Sequence, residues 1–393
     1  MKPLQSLLAF ASLAVLFTFS QGRAYGFGPN CFPTSTATLR EEVAKSEVVL
    51  FGQLQNAQKD GDNGSTELVI TKAIKGGHAL KDQKVARIPN YIPIPDPKNP
   101  PQFLVFGDVV DGTPQFFKGV QCNRAVLDYL KGVIATENND RVKLMQYCFD
   151  FLENEDRTIA DDAFVEFVRS SDSELNKVGL ALSSDKLRKW LQDERTLPNR
   201  LPLYAFLLAN TGNEKDEVLL RKLIDRLKEK NVLNDLDRIL IAYTRLNPKN
   251  GWKYVCELFE HPETHFLLLN SGFKAMKYFH ETQPEILTHK EVLKALSLAL
   301  DRPNFTDLAV EYLRKCRCWE LTEQILSLME KKEFDLPINK RSILRYALQC
   351  PDAPAVIFVE KMRKTNPSRI AAAEEYLRSQ ESLSENKPRS EQR

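Results

Sequence analysis

Phe103-Leu-Val-Phe-Gly-Asp-Val-Val110, the pair Asp111-Gly112, and Thr113-Pro-Gln-Phe-Phe117 decide how the first part of the chain is read. Two β-rich runs separated by Asp-Gly, a pair that accepts the backbone of a tight turn, spell a hairpin. Toward the N-terminus, Glu47-Val-Val-Leu-Phe-Gly-Gln-Leu54 and Thr66-Glu-Leu-Val-Ile-Thr-Lys-Ala-Ile74 repeat the strand signal. The link between them, Lys59-Asp-Gly-Asp-Asn-Gly-Ser65, is dense in turn formers. A weaker strand follows over Gln83–Ile88, and then the prolines from Pro89 to Pro101 predict an extended surface loop, each removing a backbone donor. A short helix precedes the first strand, with Thr38 as its cap, Glu41 three residues later, and Leu39 and Val43 on one face.

From Cys122 onward the period becomes helical. Arg141 to Leu152 sets Val142, Met145, Phe149 and Leu152 on one stripe. In the next segment, Asp156 to Val168, Thr158 and Asp161 are spaced as a capping box ahead of Phe164 and Phe167. Similar amphipathic segments recur to Leu377, separated by short punctuators such as Leu197-Pro-Asn199 and Asn247-Pro-Lys-Asn-Gly251. About fourteen helices joined by short loops cannot share one bundle core, so they stack, each burying its apolar face on the next. The predicted fold is α+β and multidomain. A small N-terminal five-stranded OB-like β-barrel over 25–121 leads into a large all-α, solenoid-like helical-repeat domain of HEAT-like character over 122–378. Two helical bundles in series stay open as the alternative, and residues 379–393, polar and aperiodic, read as a disordered tail.

The N-terminus reads as a secretory signal over 1–24. Lys2 is followed by an uncharged run from Leu7 to Phe19, and Gly22-Arg-Ala24 offers small residues at a cut site. That run is too short for the roughly 20 residues that span a bilayer, so the expectation is a chain without membrane insertion, secreted or periplasmic, starting near Tyr25. Export gives meaning to the seven cysteines, an odd number that leaves at least one thiol unpaired in a monomer. Cys31 and Cys122 bracket the β-rich region and are the expected disulfide; closing a loop of that length is worth about 4–5 kcal/mol in the chain-entropy account.

Across its 393 residues, 55 Lys and Arg against 53 Asp and Glu leave a formal charge of +2, which argues against nucleic acid as the main ligand. Hydrophobic residues at 42% and charged residues at 27% exclude a disordered or polytopic membrane protein.

The order Cys31, capped helix, Ser46-Glu-Val-Val-Leu-Phe-Gly52, Glu67-Leu-Val-Ile-Thr-Lys-Ala-Ile-Lys-Gly76 and Phe103-Leu-Val-Phe106 resembles the netrin-type and tissue-inhibitor-of-metalloproteinases superfamily, whose barrel is OB-like. The likeness covers Cys31 to Cys122. Phe116-Phe-Lys-Gly119, Asp128-Tyr-Leu-Lys-Gly132, Asp161-Asp-Ala-Phe-Val-Glu-Phe167, Asp185-Lys-Leu-Arg-Lys-Trp-Leu191 and Leu203-Tyr-Ala-Phe-Leu-Leu-Ala-Asn-Thr-Gly212 also resemble exported bacterial proteins in which such a β-domain leads into helical repeats. That second likeness implies architecture and export, and no activity. The first implies zinc chelation by a free N-terminal cysteine in a Cys-x-Cys start. Here the string is Cys31-Phe-Pro33, and a cut before Tyr25 leaves Cys31 seventh, without the free amine that chelation needs.

Catalytic and metal signatures are sparse. His261-Pro-Glu-Thr-His265 with Cys256 is not His-Glu-x-x-His, and Pro262 breaks any helix that would align the imidazoles, so a helix end followed by the next cap is expected. Cys316-Arg-Cys318 is half of a thiolate site, with no second Cys or His pair at matching spacing. Asp161, Asp162 and Glu166 share a helix face, but acidic residues in a first turn serve the helix dipole. Asp60, Asp62 and Asn63 lack the frame of a calcium loop and read as a turn. Lys72, Lys75, Lys81, Lys84 and Arg87 read as a solvated basic face. No catalytic, cofactor or metal residues are therefore assigned. The expectation is a non-enzymatic exported protein whose helical array binds protein or peptide. Its alternatives are a protease-inhibitor-like or ligand-binding β-domain carried on a helical spacer, and a hydrolase with an unrecognised site.

Overall fold

The computed structural model describes residues 37–60, 63–136 and 140–385. The leader and Cys31 lie outside them. The chain divides into two compact units, the first ending at Ser171 and the second beginning at Asp172. The change from strand to helix does fall at Cys122, about fifty residues before that division.

Helix α1 (Leu39–Lys45) opens the first unit, with the capping box predicted at Thr38 and Glu41. An antiparallel sheet follows, of β1 (Val48–Asp60), β2 (Asn63–Lys75), β3 (Val85–Ile88), β4 (Gln102–Val110) and β5 (Thr113–Gln121), in the order β3-β2-β1-β4-β5. The β4–β5 turn uses Asp111 at φ 50° and Gly112 at φ 73°, the left-handed pair that a two-residue hairpin needs. Among the described residues β3 and β5 do not pair, so they are the sheet's edge strands and closure into a barrel is not shown.

Alternation along β1 buries both of its faces. Val48, Leu50 and Leu54 join Leu68, Val105 and Phe116 in one core, while Val49 and Phe51 stand opposite Phe106 and Leu104 on the other face, all nearly inaccessible. A 3-10 turn at Gly77–Leu80 inserts Leu80 into the first of these cores. The proline-rich segment is less detached than a surface loop. The buried Thr66 hydroxyl donates to Asn90 O at 2.9 Å and accepts from Ile92 N at 2.8 Å, which seats Ile92 and Ile94 against the core.

Helices α2 (Arg124–Ala135), α3 (Arg141–Phe149) and α4 (Arg157–Val168) complete the first unit. The cap predicted for α4 at Thr158 is instead Asp156, whose carboxylate accepts from Thr158 N at 2.9 Å. Its other oxygen accepts from Asn123 Nδ2 at 2.6 Å, and Asn123 caps α2, so the two helix starts are tied together.

The second unit runs through α5 (Asp172–Gly179), α6 (Ser184–Gln192), α7 (Leu201–Leu208), α8 (Glu214–Glu229), α9 (Asp237–Leu246) and α10 (Pro248–Glu260). It continues through α11 (Phe266–Thr282), α12 (His289–Leu300), α13 (Thr306–Cys316), α14 (Thr322–Ser327), α15 (Pro337–Gln349), α16 (Ala353–Thr365) and α17 (Pro367–Glu385). Its main helix contacts join neighbours one or two apart in sequence, as a stacked array requires. Helix α7, Leu-Pro-Leu-Tyr-Ala-Phe-Leu-Leu, is buried on every side and packs on α5, α6 and α9. Helix α17 runs past Ser379, where the sequence ends the ordered chain, to Glu385. No disulfide joins the described cysteines, and no described helix is long and apolar enough to cross a membrane.

Candidate functional site

Most residues singled out in the sequence hold structure. Asp162 is almost fully buried, and its two oxygens accept from Leu39 N at 2.6 Å and from Tyr129 Oη at 2.9 Å. Burial pushes its carboxyl up to about 6, against the pull of those two hydrogen bonds. Glu166, 1% exposed, accepts from Arg40 Nε at 3.2 Å and Arg141 at 2.6 Å. The pair does more than the dipole role expected of it: the two carboxylates fasten α1 and α3 to α4.

His261 follows the last residue of α10, and His265 caps α11, its Nδ1 accepting from Leu267 N at 3.2 Å. They serve two helix ends, as Pro262 implies. Asp60 pairs with Asn63 across the β1–β2 hairpin, whose tip, including Asp62, lies outside the described residues. Within the basic set, Lys75 donates to the carbonyls of Val43 and Ala44 at 2.9 and 3.0 Å, closing the end of α1. Of the expected disulfide, Cys122 is a buried thiol pushed up to about 12 by desolvation, while Cys31 lies outside the described residues.

Two features were not legible as sites. The first lies where α11 and α13 end. His280, Cys316 and Cys318 bring one imidazole nitrogen and two sulfurs within 4.8 Å of one another. Arg317 makes this possible by adopting the left-handed conformation (φ 57°, ψ 38°), which sends Cys318 N back to Leu313 O at 2.9 Å. Tyr312 Oη lies 2.8 Å from His280 Nδ1, leaving Nε2 3.8 Å from Cys318 Sγ. The close approach of the two sulfurs lowers Cys316 to about 7 and raises Cys318. Burial, with His289 stacked at 5.3 Å, lowers His280 below the usual imidazole range. The chemistry on offer is a soft donor set of two sulfurs and one nitrogen. His280 stands 36 residues before Cys316, a separation that no short spacing rule detects.

The second feature is a groove of about 670 Å³ between α15 and α17. Ile338 and Tyr376, 47% and 41% exposed, flank it together with Leu344 and Ala372. Four cations line it. Lys340 is paired with Asp335 at 2.8 Å; Arg345 reaches Glu311 at 2.6 Å and lies 4.3 Å over the Tyr376 ring. Arg341 and Arg369 make no salt bridge among the described residues. An apolar floor with spare positive charge suits an extended or helical segment carrying both apolar and acidic side chains. Comparison of the chain with protein-family models, curated proteins and solved structures gives no match.

Proposed function

We propose that the chain is an exported, non-enzymatic binding protein whose helical array holds an acidic, apolar peptide segment in the α15–α17 groove. The observation that carries this is the pairing of exposed Ile338 and Tyr376 with two arginines, Arg341 and Arg369, that make no salt bridge within 4.0 Å among the described residues. Helices whose main packing is on near neighbours leave surface free for such a ligand.

Peptide display against the full secreted chain tests the reading. Acidic, apolar sequences should be enriched, and they should protect the amides of α15 and α17 from hydrogen exchange. The Arg341→Glu/Arg369→Glu variant should weaken the selected peptides at least tenfold. Protection confined to the β-sheet, or enrichment of basic peptides, would overturn the proposal.

Export rests on Lys2 and the uncharged run from Leu7 to Phe19. N-terminal sequencing of the secreted form should start near Tyr25. A start at Cys31 would instead favour a protease-inhibitor-like β-domain, the second reading, since only then is the cysteine amine free. That reading has one structural support, a cleft of about 510 Å³ between β1 and the proline-rich segment, lined by Asn56, Tyr91 and Ile94. An OB-like barrel would need its two open edges, β3 and β5, brought together, and a Cys31–Cys122 disulfide would tie the chain beside β5. Intact mass with and without reductant reads that bond directly.

A further inference from the structure

The geometry points to a metal site in the second unit: we infer that His280, Cys316 and Cys318 hold a thiophilic d10 cation, zinc(II) or copper(I). Three observations carry it. The donor set is soft, two sulfurs and one imidazole, which is what such ions prefer over the oxygen ligands of calcium or magnesium. The spacing fits. With metal–sulfur bonds of about 2.3 Å and metal–nitrogen bonds of about 2.05 Å, a tetrahedral ion separates S from N by about 3.6 Å and a trigonal one by about 3.8 Å. His280 Nε2 and Cys318 Sγ lie 3.8 Å apart, and all three donor atoms fall within 4.8 Å.

The third observation is the support behind the ligands. A metal-binding imidazole turns its second nitrogen to a hydrogen-bond partner that fixes the ring, and Tyr312 Oη stands 2.8 Å from His280 Nδ1 in that place. Tyr312 is itself buried and packs edge-on against His280 and Phe273. The Cys316 thiol donates to Tyr312 O at 2.9 Å, a bond it gives up when the thiolate binds the metal. Next to the cluster, His289 stacks on His280 and pairs with Glu320 at 2.9 Å. Three protein ligands complete a trigonal copper(I) set, or leave a tetrahedral zinc one open position.

The test is metal titration of the full chain, reduced and without its own metal, by competition with a chromophoric chelator, once with zinc(II) and once, anaerobically, with copper(I). One equivalent of at least one ion should bind with submicromolar affinity, and the arm that saturates identifies the ion. Cobalt(II) in place of zinc should give thiolate-to-metal charge-transfer absorption of two-sulfur intensity. Cys316→Ser, Cys318→Ser and His280→Gln should each weaken binding about a hundredfold, and Tyr312→Phe about tenfold, while Cys256→Ser changes nothing. The cobalt spectrum and stoichiometry of the unaltered chain keep the test decisive even if a variant folds poorly. Failure of both ions to bind, binding indifferent to Cys316→Ser, or a Cys316–Cys318 disulfide that reforms in air despite excess zinc would each overturn the inference.

Discussion

Leu39 donates its backbone N–H to the buried Oδ1 of Asp162 at 2.6 Å, across 123 residues of chain. The first N–H groups of a helix have no partner within it. In α1 the Thr38 hydroxyl takes the one from Glu41, and Asp162 takes the one from Leu39. The start of α1 is thus finished by a side chain of α4. Asp162 also accepts from Tyr129 of α2, so one carboxylate joins three helices.

That carboxylate should show in the pH dependence of stability. Its folded value of about 6 lies above the ordinary aspartate value of 3.8, so the folded state binds the proton more tightly than the unfolded state does. The stabilisation from this group is therefore complete below pH 4 and is lost as pH rises through 6. Asp162→Asn cannot titrate, and its amide still accepts from Leu39 while the Tyr129 hydroxyl turns to meet its NH2. Across pH 4 to 7, wild type should lose about 2–3 kcal/mol relative to this variant. Urea unfolding of both proteins measures the difference, and parallel curves would refute the assignment.

Glu166 should matter through its charge rather than its shape. At 1% exposure it faces Arg40 and Arg141, and Arg141 also reaches Glu166 O at 2.8 Å. Glu166→Gln keeps the volume and leaves two guanidinium groups facing a neutral amide, at a cost of about 2–4 kcal/mol. Because the pair is sheltered, that cost should change little between low and high salt, unlike that of the exposed Arg124–Asp128 pair. Denaturation with and without added sodium chloride separates the two behaviours.

Gly251 sets helix propensity against packing. Alanine in a helix interior is worth up to about 1 kcal/mol over glycine, so α10 alone would gain from Gly251→Ala. A Cβ there, however, would lie 2.4 Å from Thr244 Cα and 2.7 Å from Thr244 N in α9. Backbone atoms of a buried helix cannot turn aside as a flexible side chain can. Packing should win, with a net loss of about 1–3 kcal/mol and a lower thermal midpoint. A raised midpoint would mean that α9 and α10 do not approach so closely.

Local signals were legible where one short stretch contains both cause and effect. The Thr38–Glu41 cap, the Asp111-Gly112 turn and the strand opening at Val48 follow from residues near one another. Helix α2 is not singled out in the sequence, although Val126, Leu127, Leu130 and Val133 form a clear apolar stripe. Gly132 is there to admit Tyr147, whose hydroxyl oxygen would lie 2.0 Å from an added Cβ. Asp162 looked like a first-turn carboxylate because its partners, Leu39 and Tyr129, lie 123 and 33 residues away. The thiol–imidazole cluster was hidden for the same reason. Half of it stood in plain view as Cys316-Arg-Cys318, but only the stacking of α11 beside α13 brings His280 to it. No motif marks Arg341 and Arg369 in the sequence; α15 and α17 place them beside Ile338 and Tyr376.

Arg314 and Glu311 provide a test of how the end of the array is held. Arg314, 5% exposed, reaches Glu311 at 2.8 Å within α13, Gln349 of α15 at 2.7 Å and Gln380 of α17 at 2.9 Å. Glu311 is shared, because Arg345 of α15 also donates to it at 2.6 Å. Removing either member of a buried pair strands the other, but the two losses differ here. Arg314→Leu leaves Glu311 with Arg345 and should cost about 1–2 kcal/mol, whereas Glu311→Leu leaves the more deeply buried Arg314 without an anion and should cost about 3–5 kcal/mol. The double variant strands neither residue of the pair and should be more stable than Glu311→Leu alone, with a coupling energy above 1 kcal/mol. Hydrogen exchange should show the amides of α17 opening more readily in Arg314→Leu than in Glu311→Leu, because Arg314 ties Gln380 of α17 to α13. Strict additivity in the cycle would mean that the ion pair contributes nothing beyond its separate parts.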